Sequence, residues 1–232
     1  MALTSAQIIN LACQIAKCPG FVSQAGQFLN AVLGDLCQDY DFEIARGVFN
    51  FNFNSGVGTG SGPYTLPADW LRGKDESILY TINGVAYPMI NLSLDQYDGL
   101  TQVAGNNSYP NYYTTDMSQT PPVMFVWPPS SGSYPVTARY YKKMADIATP
   151  ETSAAIPWFQ NQKYLIKQLA ADLMSITDDE REEQFRMQAK DLLTHFLKMK
   201  DDEGGRVNQV KLDRRIFRNN MNNLQNTKNM GW

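Results

Sequence analysis

Apolar residues recur at helical spacing twice near the start of the chain. Ile8, Leu11, Ala12 and Ile15 repeat at three and four residues behind Thr4-x-x-Gln7, a pattern in which a hydroxyl and an amide cap a helix start reciprocally. Pro19-Gly20 predicts a stop. Ser23 is placed to cap a second helix, with Phe28, Leu29, Val32, Leu33, Leu36 and Tyr40 along one stripe and Gly47 as its end. At Val48 the period falls to two: Phe49, Phe51 and Phe53 alternate with Asn50, Asn52 and Asn54, as in a half-buried strand.

Gly56, Gly58, Gly60 and Gly62, with small residues between, predict an exposed loop. From Pro63 to about Lys143 the pattern is that of short strands. Ser77–Ile82 and Val85–Ile90 flank Asn83-Gly84, the strongest short hairpin signal, and Pro88 marks an edge strand. Leu92–Leu100 predicts a helical turn, and the polar, tyrosine-rich 101–120 stretch a long loop. Val123–Trp127 and Val136–Tyr141 are expected to pair as a second hairpin across Pro128-Pro129 and Gly132. Helical spacing returns with Tyr164, Leu165, Leu169, Leu173 and Ile176. It resumes with Phe185, Ala189, Leu192, Leu193, Phe196 and Leu197, behind Asp179, Glu180, Glu182 and Glu183, whose charges suit a helix N-terminus. Gly204-Gly205 predicts the end of that helix.

The expected fold class is therefore α+β: a helical bundle body, a small antiparallel β-domain (sandwich or barrel) inserted in it, and an extended C-terminal arm. The expected boundaries are 1–47 for an N-terminal helical hairpin, 48–145 for the β-domain, 146–205 for the C-terminal helices of the bundle and 206–232 for the arm.

Charge sets the arm apart. Residues 206–232 carry Arg206, Lys211, Arg214, Arg215, Arg218 and Lys228 against Asp213 alone, a net +5, so the preceding residues carry −8 of the chain's −3. Seven asparagines crowd the same stretch, with Phe217 and Trp232 among its scattered apolar anchors. Three readings fit: docking on an acidic protein surface, binding of nucleic acid, or a floppy terminus. The interleaving of charge with asparagine and isolated large apolar residues favours protein docking.

Composition narrows the chemistry. With 43% hydrophobic and 19% charged residues the chain can bury a core. His195 is the single histidine and is expected at the solvent margin of its helix, which removes multi-histidine metal sites. Cys13, Cys18 and Cys37 lack C-x-x-C spacing and are expected to be small buried or half-buried thiols. No apolar run approaches the ~18 residues of a membrane span, and Met1-Ala2-Leu3-Thr4 does not open a secretory signal. The glycine run lacks the Gly-Lys-Ser/Thr of a phosphate loop and the phase of a dinucleotide fingerprint. Asp39, Asp41 and Glu43 are the best candidates for a carboxylate pair of the kind a peptidoglycan hydrolase needs, and such local clusters are more often solvated faces. No catalytic residue, metal or cofactor is expected.

Tyr64-x-Leu66-Pro67-x-Asp69-Trp70-Leu71-Arg72 is the most distinctive stretch. It predicts a structural corner: Tyr64–Leu66 close a strand, Pro67 breaks the ladder, Asp69 caps a short turn, and Trp70 and Leu71 plug it into the core. This corner resembles that of the head-to-tail adaptor proteins of tailed bacteriophages, in particular the tail tubular protein A group of short-tailed phages. So do Val126-Trp127-Pro128-Pro129 and the answering Val136-Thr137-Ala138-Arg139-Tyr140-Tyr141-Lys142. The resemblance covers roughly residues 1–205.

It implies a virion structural protein at the head-to-tail interface, assembled in the host cytoplasm. In such proteins a homo-oligomeric ring, usually of twelve copies, sits beneath the portal and above a downstream tail or nozzle protein. The helices surround the channel through which viral DNA passes without specific binding, and a C-terminal arm reaches the portal. Arg206, Lys211, Arg214, Arg215, Phe217, Arg218 and Trp232 are then the portal-docking residues. Another tail-completion or baseplate ring protein is the alternative. Ring subunits need lateral faces, for which Tyr109, Tyr112, Tyr113, Tyr134, Tyr140 and Tyr141 are candidates.

Overall fold

The computed structural model describes residues 2–54, 61–101 and 106–203. The arm at 206–232, with all its docking residues, and Gly56, Gly58 and Gly60 lie outside the described residues. Among those described, the fold is mixed α+β with five α-helices and eight strands. Helices α1 (Ser5–Ile15) and α2 (Val22–Asp39) come first, then β1 (Arg46–Asn52), β2 (Tyr64–Thr65), β3 (Trp70–Ile82), β4 (Val85–Pro88) and β5 (Ile90–Asn91). A short α3 (Leu94–Thr101) precedes β6 (Tyr112–Asp116), β7 (Val123–Trp127) and β8 (Pro135–Lys142). Helices α4 (Gln162–Ile176) and α5 (Glu182–Glu203) follow.

The first helix starts as its sequence dictates. The Thr4 hydroxyl accepts from the Gln7 N–H and the Gln7 amide oxygen accepts from the Thr4 N–H. Its buried face is Ile8, Ile9, Ala12 and Cys13; Leu11 is turned outward. The second helix is not capped by Ser23. A 3₁₀ turn at Pro19–Phe21 leads straight into it. It ends at Asp39, eight residues before Gly47, because Tyr40 is already extended. Gly47 instead lies inside β1, where its missing side chain is used: a Cβ there would sit 2.6 Å from the Tyr140 ring. In α4 the buried face includes Tyr164, Leu165, Leu169 and Leu173, while Ile176 is exposed at the last turn.

The strands form two four-stranded sheets, in order β1-β8-β3-β4 and β2-β7-β6-β5. All pairings are antiparallel except β5 with β6. Asn83 and Gly84 both have positive φ, 51° and 82°, and join β3 to β4 as the type I′ signal predicts. Three expectations fail here. Val85–Ile90 is not one strand: β4 ends at Pro88, and Ile90 belongs to β5 of the other sheet. Val123–Trp127 and Val136–Tyr141 are not a hairpin: β7 pairs with β2 and β6, β8 with β1 and β3, so the chain crosses between sheets at 128–134. The 101–120 stretch is not one long loop, since it contains β6. The Tyr-Tyr-Thr-Thr run there is β-branched and aromatic and fills the gap between β7 and β5.

Two apolar clusters result. One takes Phe53, Tyr64, Trp70, Ile78, Tyr113, Met124, Val126, Val136 and Tyr140 from both sheets, the packing of a sandwich. The other is helical, with Ile8, Leu29, Leu36, Leu165 and Leu173, and draws on both ends of the described sequence. Reciprocal amide bonds hold these ends together: Asn30 with the backbone of Ile147, and Gln162 with that of Leu3. Cys13, Cys18 and Cys37 are free and buried, and burial pushes all three thiols up.

The Gly47 contact yields a test. Gly47→Ala is expected to destabilise the protein by ~1–3 kcal/mol through overpacking against Tyr140, read as a lower denaturation midpoint. An unchanged midpoint would show that the ring yields freely.

Candidate functional site

The corner motif sits where the two clusters meet. The Trp70 N–H bonds the Pro67 carbonyl at 3.0 Å, closing the turn. Asp69 does not cap that turn through its side chain. Its Oδ1 accepts from the Tyr140 hydroxyl at 2.9 Å, and its carbonyl accepts from the Lys143 N–H at 2.7 Å. Trp70 stacks on the Tyr140 ring at 4.6 Å and 11° between planes. Tyr140 is thus bounded by the Gly47 backbone, by an indole and by a carboxylate. Burial, and then the neighbouring Asp69, push its hydroxyl up to about 12. Tyr164 in the helical cluster is also pushed up to about 12, chiefly by burial. Trp70 is buried, with no acceptor for its Nε1 among the described residues; Leu71 is only half-buried. Tyr64 closes the other end of the motif: its hydroxyl accepts from the Asn54 N–H at 3.1 Å.

Arg72 reaches out of the sheet to the helices. Its guanidinium donates to the Gln38 carbonyl at 2.7 Å, to the Cys37 carbonyl at 3.4 Å and to Asp41 Oδ1 at 2.6 Å, and it lies over the Tyr141 ring. The last carbonyls of a helix have no intrahelical donor and carry the negative end of its dipole. Arg72 therefore caps α2 from the β-sheet.

The candidate carboxylates are engaged as well. Asp41 faces Arg72, and Glu43 faces Arg46 at 2.9 Å. Both, like Asp39 and His195, are exposed. No group of three potential metal ligands, and no helix long and apolar enough to cross a membrane, occurs among the described residues. Of the six candidate interface tyrosines, Tyr113, Tyr140 and Tyr141 are core residues and do not serve a lateral face. Tyr109 is 50% exposed, and Tyr112 and Tyr134 are half-buried. A groove of about 480 Å³ runs between α2, α4 and α5, with Asp35 and Asp39 on one wall and Arg186 and Lys190 on the other.

The corner is thus a joint between the sheets and the helices. That suits the one comparison that identifies the chain: the model of the SU10 adaptor protein family matches residues 3–211, nearly its whole length. The chain belongs to the SU10 adaptor protein family. No curated protein matches it. In this adaptor the matched stretch takes in both apolar clusters, the corner and the first residues of the basic segment.

Two predictions follow from the joint. Arg72→Ala is expected to cost the adaptor ~2 kcal/mol, because charge-assisted bonds to helix carbonyls are lost. Asp41→Ala is expected to cost under ~1 kcal/mol, since that ion pair is exposed. Equal losses in paired denaturation curves would reverse this ranking. The second concerns alkali. A tyrosine whose folded pKa is raised stays protonated in the native state while the unfolded chain ionises. Stability is therefore complete below pH ~10 and falls as pH rises towards about 12. Tyr140→Phe should shrink the highest-pH step of the phenolate absorbance titration, which it shares with Tyr164, and weaken the alkaline loss. An unchanged highest-pH step, with the lost amplitude in the ordinary tyrosine range, would place Tyr140 in an ordinary environment.

Proposed function

We propose that this adaptor is a virion structural protein that joins the portal to the tail as a homo-oligomeric ring. The observation that carries the reading is the family match over residues 3–211. On this reading copies sit at the head-to-tail interface, in contact with the portal on one side and a tail or nozzle protein on the other. Viral DNA leaves through the lumen without specific binding. A ring of twelve, and kinship with the tail tubular protein A group, extend the same proposal.

The architecture supports it in kind. The helical cluster is drawn from both ends of the described sequence and the β cluster from its middle, so the chain suits a helical bundle body from which a sandwich projects. The net −8 on residues 1–205 suits a lumen that must let phosphates slide. The basic 206–232 segment, with Phe217 and Trp232 as apolar anchors, is the part proposed to grip the portal. Asp41 and Glu43, each turned to an arginine, lend no support to a hydrolase.

The test is native mass. The purified chain is expected to run as a monomer and to become a many-copy complex on mixing with a portal ring. Deleting 206–232 should abolish that capture and leave the fold intact. A full-length chain that ignores the portal would overturn the portal contact and favour a tail-completion or baseplate ring.

A further inference from the structure

The two sheets have four edges among the described strands: β1 and β4 in one, β2 and β5 in the other. Exposed strand edges carry unpaired backbone groups, and natural proteins blunt them by shortness, proline, bulges or charge. β2 and β5 are two residues each. β1 is seven residues long, has no proline, and keeps one unbroken register with β8.

The ladder shows which groups it leaves open. The Phe53 N–H bonds the Tyr134 carbonyl in that same register. In an antiparallel pair the bonded positions alternate. The odd residues Gly47, Phe49, Phe51 and Phe53 therefore face β8. Val48, Asn50 and Asn52 turn their N–H and C=O groups away from it, to the open side. Val48 is 62% exposed, and the stacked Phe49 and Phe51 rings are only half-buried.

The far edge of the same sheet has the matching shape. The Asn83-Gly84 turn makes Ile82 and Val85 a bonded pair, so Tyr80 and Tyr87 are bonded too, and Ala86 turns its N–H and C=O outward. Pro88 presents a carbonyl and no N–H. This edge is apolar: Val85 and Tyr87 are 54% and 42% exposed. Ala86 pairs with Thr81 and Val48 with Arg139, which puts both on the outer face of the sheet, opposite Tyr80 and Ala138. Direction also fits. β1 is antiparallel to β8, β8 to β3, and β3 to β4, so β4 runs opposite to β1.

We infer that neighbouring copies of this adaptor join head to tail through these two edges, β4 of one copy pairing antiparallel with β1 of the next. The inference deepens the ring reading and rests on it. The two edges lie at opposite ends of one sheet, the arrangement of a heterologous contact, which closes into a ring when the rotation permits. A sheet continued from copy to copy leaves neither edge open and covers Val48, Val85 and Tyr87. Pro88 weakens the template of β4 on its own, so the pairing needs the apolar contact and the ring geometry as well.

The experiment pairs cysteines across the proposed contact. Ala86→Cys combined in turn with Val48→Cys, Asn50→Cys and Asn52→Cys samples the three registers in which Ala86 meets an open position of β1. The full chain is assembled on a portal ring, its native mass is measured, and it is then oxidised and run under denaturing, non-reducing conditions. The native cysteines are buried, so the wild type is the background. One double variant is expected to form a ladder of dimers, trimers and higher species that each single variant lacks. A many-copy complex without a ladder would overturn the edge pairing and leave the ring standing. Dimers from Val48→Cys, Asn50→Cys or Asn52→Cys alone, with nothing larger, would show two-fold β1 pairing instead. Absence of any many-copy complex, with the wild type equally unassembled, would remove the portal-bound ring and, with it, this inference.

Discussion

Strand β8 belongs to both cores at once. Side chains alternate along a strand, so Tyr140 enters the β cluster and Tyr141, the next residue, enters the helical one. The strand is also interior to its sheet, bonded to β1 on one side and β3 on the other. Neither cluster can shift against the other without moving this pair of rings. The corner residues then fix the pair from both sides. Trp70, Asp69 and Gly47 confine Tyr140, and Arg72 lies over Tyr141 while holding the end of α2. The Tyr64–Arg72 motif is thus explained as a joint. Its proline ends one strand, its aspartate anchors a phenol, its tryptophan stacks and its arginine crosses to the helices.

Local signals were the legible part of the sequence. Thr4 with Gln7, Asn83 with Gly84, and Phe49, Phe51 and Phe53 in alternation each fix a backbone choice within a few residues, and the structure follows them. A second capping pair of the same kind, Ser93 with Gln96, was equally readable and starts α3. What escaped depends on distant partners. β7 and β8 look like a hairpin because they are neighbours in sequence, yet β7 needs β6, whose tyrosines and threonines sit among loop-like residues. Gly47 reads as a helix stop because nothing local shows that a tyrosine ring from residue 140 occupies the space of its side chain. Arg72 gives no hint of its role, since its acceptors are backbone carbonyls at 37 and 38. The basic 206–232 segment is legible in charge alone.

On the proposed ring reading, an open strand edge is a hazard for copies that have not yet met. β1 answers with composition. Its outward positions after Val48 are Asn50 and Asn52, which hydrate well, and Asn50 is already held by the Thr137 hydroxyl. Charge adds a second safeguard. Each copy carries −3 overall, −8 on residues 1–205 and +5 on 206–232, so copies repel weakly beyond contact, and that repulsion fades over a screening length of ~8 Å at physiological salt. Encounters in dilute solution therefore meet repulsion first and the edge only afterwards. A surface that collects copies through their basic segments reverses the order: it neutralises part of the charge and holds edges side by side. On the proposed ring reading the acidic body, the basic segment and the β1 edge act together: edge pairing between copies follows their collection and does not precede it.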